Sequence, residues 1–549
     1  MRINPLIDDA LLGGGIALIA VAALILLLAC SNLANMLLAR GISRSSEVAV
    51  RQALGADRLR IARLLLLEAL LLAALGAVAG LALAAWSTTL LSTVTVPAVG
   101  GGSPSGSLDL GFDYRVATFG VLTAVATGLL FGLLPALRST RTEVAATLRD
   151  EGRGLSTGRG ISLLRKGLVV AQVAISLVLM TGAGLLGRSL ANAERVDPGV
   201  DTERIAVIAT NLAQGGVAQE EAAAVAARVL ERVEALPGVE RAALTTRLPV
   251  QPGGITSQVV DGYTPSAGTG AVELPFAIVS RGYFETMGIP LLAGRTFNAA
   301  DREETPRAIV VNEAAARAYW GGDAVGGRIR SQGPDSPWQE VVGVVADVTV
   351  ADVTEAPTPM IYRSAEQFGA MAFSVVARTS DDPAVLTSAL PSALRGVRAS
   401  LPVTRLLPLE AHLGDALALH RTAAALMGGF SMLALLLASL GIYAVVAFTV
   451  ERRTQELGIR VALGATREAV VRMVVRESLG SVALGLAAGL VVAVIAMRGL
   501  DGVLFGVPPV DGVTFAAAAG LLLAAACVAA FLPARRAAWA NPVEVLRRQ

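Results

Sequence analysis

Seven runs of this chain are apolar over enough residues to cross a bilayer as helices, near 12–39, 64–92, 115–137, 167–187, 423–450, 474–498 and 512–533. A hydrocarbon core of about 30 Å takes roughly 20 helical residues, and inside it each backbone N–H and C=O must be satisfied within the helix itself. That requirement leaves little choice of fold. The composition agrees, with 54% hydrophobic and only 16% charged residues and a mean hydropathy of +0.62, well outside the range of soluble domains. Between the fourth and fifth runs, residues 188–421 have an ordinary soluble composition. The expected fold class is therefore a polytopic α-helical membrane protein of seven spans with one extracytoplasmic α/β domain.

The basic residues orient it. Arg40, Arg44, Arg51, Arg58, Arg60 and Arg63 fill one connector, and Arg138, Arg141, Arg149, Arg153, Arg159, Arg165 and Lys166 the next. Arg452, Arg453, Arg460, Arg467, Arg472 and Arg476 fill a third, and the tail adds Arg535, Arg536, Arg547 and Arg548. Basic residues near span ends mark the cytoplasmic side, which places 188–421 outside. The net charge of +2 implies no nucleic-acid partner. Cys30 and Cys527 are the only cysteines, and both lie inside apolar runs, where they read as small packing residues.

The chain repeats itself. Residues 47–69, EVAVRQALGADRLRIARLLLLEA, match 456–478, ELGIRVALGATREAVVRMVVRES, at an offset of 409. Glu47 falls on Glu456, Arg51 on Arg460, Gly55 on Gly464, Arg58 on Arg467 and Glu68 on Glu477, while Gly76 and Gly80 fall on Gly485 and Gly489. Further along, Pro135 matches Pro533 at a slightly different offset and is expected, like it, to close the last helix of its copy. Two copies of a membrane unit follow: residues 12–150 form the first three-helix unit, 151–187 a linker and the first helix of the second, and 422–549 the second three-helix unit. Residues 1–11 read as the extracytoplasmic stub of a helix and domain that the first copy lacks.

Within each connector the local chemistry is readable. Glu456 and Arg460 stand one helical turn apart in the favourable order, as do Glu47 and Arg51, with Leu457 and Val461 as an apolar stripe expected to face the membrane. Gly464 ends that short helix, and Thr466, or Asp57 in the other copy, caps the next. One such segment alone reads as a positive-inside loop lying on the headgroups; two with the same turn, cap and charge spacing point to a docking elbow. Gly76 and Gly80, and Gly485 and Gly489, are small-xxx-small pairs on equivalent helices that let neighbouring helices approach closely, with contact between the two copies as the suggested use. Glu68 and Glu477, just inside equivalent spans, are either functional ionisable groups or partners of nearby arginines such as Arg472 and Arg476.

Catalytic motifs are poorly represented. His412 and His420 are the only histidines and no metal-ligand cluster accompanies them. The sole lysine, Lys166, is followed by Gly167, so no Walker A sequence occurs. GAGLLG, from Gly182 to Gly187, matches a dinucleotide-binding pattern but lies within a span and reads as helix packing. In the outward domain, 204–212 and 239–247 read as strands around a helix at 218–235, and 371–379 with 401–409 as a second βαβ unit around a helix after Pro383. Gly288, Gly294 and Asp301 read as turn formers in the segment between.

The paired E-x-x-x-R-x-A-L-G-A connectors, the outward Y-F-x-x-M-G-I-P-L-L-x-G-R segment at 283–295 and the L-P-A helix exits resemble MacB/FtsX-type ABC transporter permeases, specifically the large duplicated orphan permeases first described from acidobacteria. The resemblance implies a permease subunit in a bacterial inner membrane, not itself an enzyme, with no cofactor of its own. ATP would be bound by a separate cytosolic ABC ATPase docking on the connectors, near Arg51 to Asp57 and Arg460 to Thr466. It implies that ATPase motion is passed to the outward domain, for export or mechanotransmission. The alternative is an FtsX-like regulator of an extracytoplasmic partner; a periplasmic adaptor goes with export, a cell-wall hydrolase with regulation. A full duplicated permease would have eight spans and two outward domains, where this sequence shows seven and one. A secondary transporter is disfavoured, since the spans lack a cluster of buried charges.

Overall fold

The computed structural model describes residues 19–36, 58–91, 95–96, 106–107, 113–141, 158–196, 198–251, 253–265, 270–333, 336–349, 357–453, 456–457, 459–460, 463–499 and 504–539. They form two compact units, one of spanning helices and one built mainly from 191–421. The first half of the chain contributes α1 (Ile19–Met36), α2 (Arg58–Leu91), the paired two-residue strands β1 (Thr95–Val96) and β2 (Gly106–Ser107), α3 (Tyr114–Arg141) and α4 (Gly158–Ala193).

The outward domain follows. Its elements are β3 (Ile205–Asn211), α5 (Gln219–Glu234), β4 (Val239–Thr245), β5 (Ile255–Val260), β6 (Val272–Val279), α6 (Tyr283–Met287), β7 (Leu291–Gly294) and β8 (Arg307–Asn312). Then come α7 (Glu313–Trp320), β9 (Arg328–Ser331), β10 (Gln339–Val345), β11 (Ile361–Ser364), α8 (Ala365–Phe368), β12 (Ala372–Thr379), α9 (Pro383–Val397), β13 (Arg405–Pro408) and α10 (Leu409–Ala416). The two strand–helix–strand units interleave. β12 lies between β3 and β4, antiparallel to both, and β13 adds antiparallel to β3, giving the order β13-β3-β12-β4 of a split βαβ sheet. Alternation along the strands sends Ile205, Val207 and Val376 into one core and Ala206, Ile208 and Val375 into the other. The second core is covered by α5 through Val225, Val229 and Val233, and by α9 through Leu386, Leu390 and Leu394. The central strands β3 and β12 thus bury side chains on both faces, whereas Glu240 and Arg241 at the start of β4 are exposed and β13 is half-buried throughout.

Between β4 and β12 the chain builds the inserted lobe. There β6, β11, β8, β10, β9 and β5 pair successively and β5 returns to β6, closing a ring of mixed parallel and antiparallel strands. Under it Phe284 and Tyr362 meet edge to face with centroids 5.1 Å apart, in the core that also receives Met287. Gly294 sits at φ +73° where an added Cβ would strike the carbonyl of Val342, and Asp301 is clamped by both outer nitrogens of Arg295 at 2.8 and 2.9 Å. His412 is buried on α10 with Nε2 2.9 Å from the carbonyl of Pro249; burial, with the charge of Arg405 nearby, lowers its pKa to about 4. It is a neutral structural residue at neutral pH. No group of three or more metal-binding side chains occurs among the described residues.

The second half of the membrane unit is α11 (Ala418–Arg452), α12 (Arg467–Arg498) and α13 (Gly512–Ala538). Among the described residues six helices are long and apolar enough to cross a membrane, and α3 holds a further, shorter apolar segment, Tyr114–Leu129. α4 is the pivot: 61% of its spanning window is buried, against none of the window in α2. Val173 and Leu177 of α4 join Ile442 and Val446 of α11, Val482 of α12 and Leu522, Ala526 and Ala530 of α13 in one core. α12 reaches α4 through its glycines. A Cβ on Gly485 would lie 2.7 Å from Cβ of Val173, and one on Gly489 2.8 Å from Cα of Ala174. These glycines thus serve packing within the second copy. At Gly76 and Gly80, by contrast, an added Cβ meets nothing within 4 Å among the described residues. The prolines also differ from expectation. Pro135 and Pro533 lie inside α3 and α13, and neither closes its helix. α13 runs on past Pro533 because Ala534 and Ala538 are buried, and tertiary packing outweighs the one lost N–H bond.

This asymmetry gives a clear expectation for stability. Gly489→Ile forces side chain into backbone and should destabilise the detergent-solubilised chain by about 1–3 kcal/mol. Gly80→Ile should be neutral or slightly stabilising, since glycine is about 1 kcal/mol poorer than alanine in a helix. Thermal unfolding of the two variants side by side makes the comparison; equal losses would contradict the packing described.

Candidate functional site

The described residues of the connector between α11 and α12, 453, 456–457, 459–460 and 463–466, are held by local bonds. Just past the end of α11, the N–H of Leu457 donates to the carbonyl of Arg453 at 2.8 Å. Glu456 and Arg460 form their ion pair at 2.6 Å. The turn is then closed by backbone chemistry. The N–H of Ala465 reaches back five residues to the carbonyl of Arg460 at 2.9 Å, with Gly464 at φ +99° between them. That is a Schellman-type stop with glycine at the one position that needs a left-handed backbone. Two residues on, Thr466 caps α12, its Oγ1 accepting from the N–H of Ala469 at 3.3 Å. Stop and start are thus separated by a single residue, which leaves the elbow little freedom to bend.

Its inner face is packed. Leu457 is 5% exposed and clusters with Val470 of α12 and Ala538 of α13. It does not face lipid as its amphipathic spacing suggested, because the end of α13 passes beneath it. Val461 lies outside the described residues. Trp539 follows α13, with the guanidinium groups of Arg467 and Arg535 over its ring at 5.6 and 5.5 Å, and Arg536 donates to the hydroxyl of Tyr443 on α11 at 3.1 Å. Glu477 pairs at 2.6 Å with Arg453 at the end of α11. Its partner is on the preceding helix, and is neither Arg472 nor Arg476. Such half-exposed pairs contribute on the order of 0.5 kcal/mol each; they fix direction more than stability. Glu68, the matching residue of the first copy, is half-buried on α2. Glu47, Arg51, Gly55 and Asp57, the first copy's elbow, lie outside the described residues.

A second feature was not foreseen from the sequence: the two copies meet through side-chain amides, one buried and one half-buried. Asn32 on α1 donates to the carbonyl of Leu437 on α11 at 2.8 Å. Gln172 on α4 donates to the same carbonyl at 2.6 Å and to Oδ1 of Asn32 at 3.0 Å. An added Cβ on Gly441 would strike both side chains. The 409-residue offset explains the geometry, since it places Asn32 on Gly441 and Leu26-Leu27-Leu28-Ala29 on the identical Leu435-Leu436-Leu437-Ala438. Equivalent positions of the two copies therefore face each other, as in an isologous contact. Leu28 packs on Ala434 and Leu179 beside this bridge. Further along α4, Ser176 donates to the carbonyl of Ala434 at 3.3 Å, and Ser431 of α11 to that of Leu179 at 2.7 Å. Asn35, also on α1, is buried, with 2% of its surface exposed.

Amide bonds between helices in a membrane are worth about 0.6–2 kcal/mol each. A double-mutant cycle of Asn32→Ala and Gln172→Ala, read by unfolding in detergent, should return a coupling of about 0.5–1.5 kcal/mol. Strict additivity would remove the bridge.

Comparisons with known proteins agree with this architecture. Residues 19–144 and 428–542 match the FtsX-like permease C-terminal model, once per copy, and 167–393 match the MacB-like periplasmic core domain. Among curated relatives, an uncharacterized ABC transporter permease, YknZ, of Bacillus subtilis is 25% identical over 49% of this chain and 68% of its own length. The macrolide export ATP-binding/permease protein MacB of Bradyrhizobium diazoefficiens is 27% identical over 49% of this chain and 43% of its own. The pyoverdine export ATP-binding/permease protein PvdT of Pseudomonas entomophila is 32% identical over 22% of this chain and 18% of its own. The matches thus span less than half of these ATP-binding/permease relatives. Among solved structures, the periplasmic region of MacB from Actinobacillus actinomycetemcomitans aligns over 39% of this chain and 92% of its own, at 14% identity and a TM-score of 0.28. With the spanning helices and the mixed-sheet domain, the two family models place the chain in the bacterial inner membrane as a multi-pass member of the MacB/FtsX-type ABC transporter permease family.

Proposed function

We propose that this chain passes the motion of a separate cytosolic ABC ATPase to its outward domain, and that one chain supplies both permease halves of the machine. The observation that carries the reading is the elbow. A helix stopped by Gly464 and restarted by Thr466 forms a short, stiff projection whose displacement is handed directly to α12. Because α12 is locked against α4 at Gly485 and Gly489, and α4 runs on toward the outward domain, a push at the elbow has a continuous packed route through the bilayer. The facing of equivalent positions of α1 and α11 supports the second part, since two ATPase subunits need two related docking surfaces.

ATP is bound by the partner in this reading, and the chain performs no catalysis and holds no cofactor. The work delivered outside is export, with a periplasmic adaptor as the natural partner, or regulation of an extracytoplasmic hydrolase as in FtsX-like systems. Co-purification of the tagged chain from its own membranes, with an ATPase assay, tests the coupling. Gly464→Ile places a β-branched residue at a left-handed backbone position, strained by about 1–2 kcal/mol. It should lower permease-stimulated ATP hydrolysis by tenfold or more while membrane insertion is unchanged. Undiminished stimulation would contradict the elbow as the docking element.

A further inference from the structure

Behind the elbow, between α4, α11 and α12, lies a cavity of about 140 Å³ with two kinds of wall. Its depth is apolar, formed by residues such as Val169, Ile442 and Val446, and its rim is ionic, with Lys166, Arg453 and Arg460 as the cations. Two of the three are neutralised within the protein. Arg453 is paired with Glu477 and Arg460 with Glu456, each at 2.6 Å, and both carboxylates also line the cavity. Lys166 is exposed and has no carboxylate partner among the described residues. The rim therefore keeps one net positive charge, and the hydroxyl of Ser481 is a further lining donor.

We propose that this cavity is a binding site for an anionic phospholipid, with the phosphate against Lys166 and the Arg453 side, and the start of an acyl chain along Val169, Ile442 and Val446. The chemistry favours a lipid on three counts. The volume is below the roughly 300 Å³ at which pockets for drug-sized ligands begin, yet suffices for a phosphate and a few methylenes. The apolar wall would be wasted on a free soluble anion, whereas an acyl chain fills it. The cavity also opens at the basic ends of spanning helices, where pockets between helices meet headgroups. A zwitterionic headgroup fits less well, since it brings its own cation to a rim whose surplus charge is Lys166. Such a lipid would join α4 to the end of α11 and to Arg460 of the elbow. The proposal stands independently of any ATPase.

The test uses the delipidated full-length chain in detergent, with phosphatidylglycerol, phosphatidylcholine and inorganic phosphate added separately, read by native mass spectrometry and by thermal unfolding. Phosphatidylglycerol should bind saturably and raise Tm; phosphatidylcholine and inorganic phosphate at equal concentration should not. Lys166→Gln alters only an exposed side chain and should weaken phosphatidylglycerol binding roughly fivefold, the contribution of one cation beside an anionic headgroup. Lys166→Arg should restore it, and Ser481→Leu, which fills the cavity without removing a charge, should abolish saturation. The proposal is overturned by an equal response to phosphatidylcholine, by a response reproduced with inorganic phosphate, or by undiminished binding in Lys166→Gln.

Discussion

The membrane unit depends on a few amides held out of water. In hydrocarbon an unbonded amide has no solvent to turn to, so Asn32 and Gln172 must find partners inside the protein. They find each other and the carbonyl of Leu437. That carbonyl already serves its own helix, so the bridge can form only where α1, α4 and α11 come close, and Gly441 is what lets them. Apolar packing alone would not specify this, because lipid tails compete with leucine on equal terms. Polar residues at the seam therefore set which helices meet and at which register.

From that seam the mechanical logic follows. α4 is bonded to α11 along one side through Gln172 and Ser176 and approached by α12 along another through Gly485 and Gly489. A helix tied on both sides moves with its neighbours, not past them. At the inner end Leu457 packs against α12 and the end of α13, and Arg453 is joined to Glu477; in the proposed reading this elbow is the lever. In the proposed reading force passes along these joints, each of which carries a local contact. The outward domain's split βαβ sheet carries an apolar core on each face.

How far the sequence foretold this depends on the range of the interaction. Gly464 and Thr466 were readable because a helix stop and a helix cap are made by hydrogen bonds spanning three to five residues. The strands and helices of the outward domain were readable from periodicity, but not their order, since interleaving β12 between β3 and β4 depends on pairing across more than a hundred residues. Leu457 shows the limit of an amphipathic pattern: it marks an apolar face without telling lipid from a neighbouring helix. Gly76 and Gly80 show the same for small-residue pairs, identical in pattern to Gly485 and Gly489 yet uncovered. The seam was within reach. Extending the 409-residue offset back to Leu26 would have placed Asn32 opposite a glycine, an exchange of side-chain size that hints at contact between the copies.

The central claim is that one chain supplies both permease halves, facing each other across the α1 and α11 seam. Native mass spectrometry of the chain co-purified with its ATPase measures that directly. One permease chain with two ATPase subunits is the predicted composition. Two permease chains with two ATPase subunits would mean that each chain acts as a single half, and that the facing of Asn32 and Gly441 is internal packing with no part in docking.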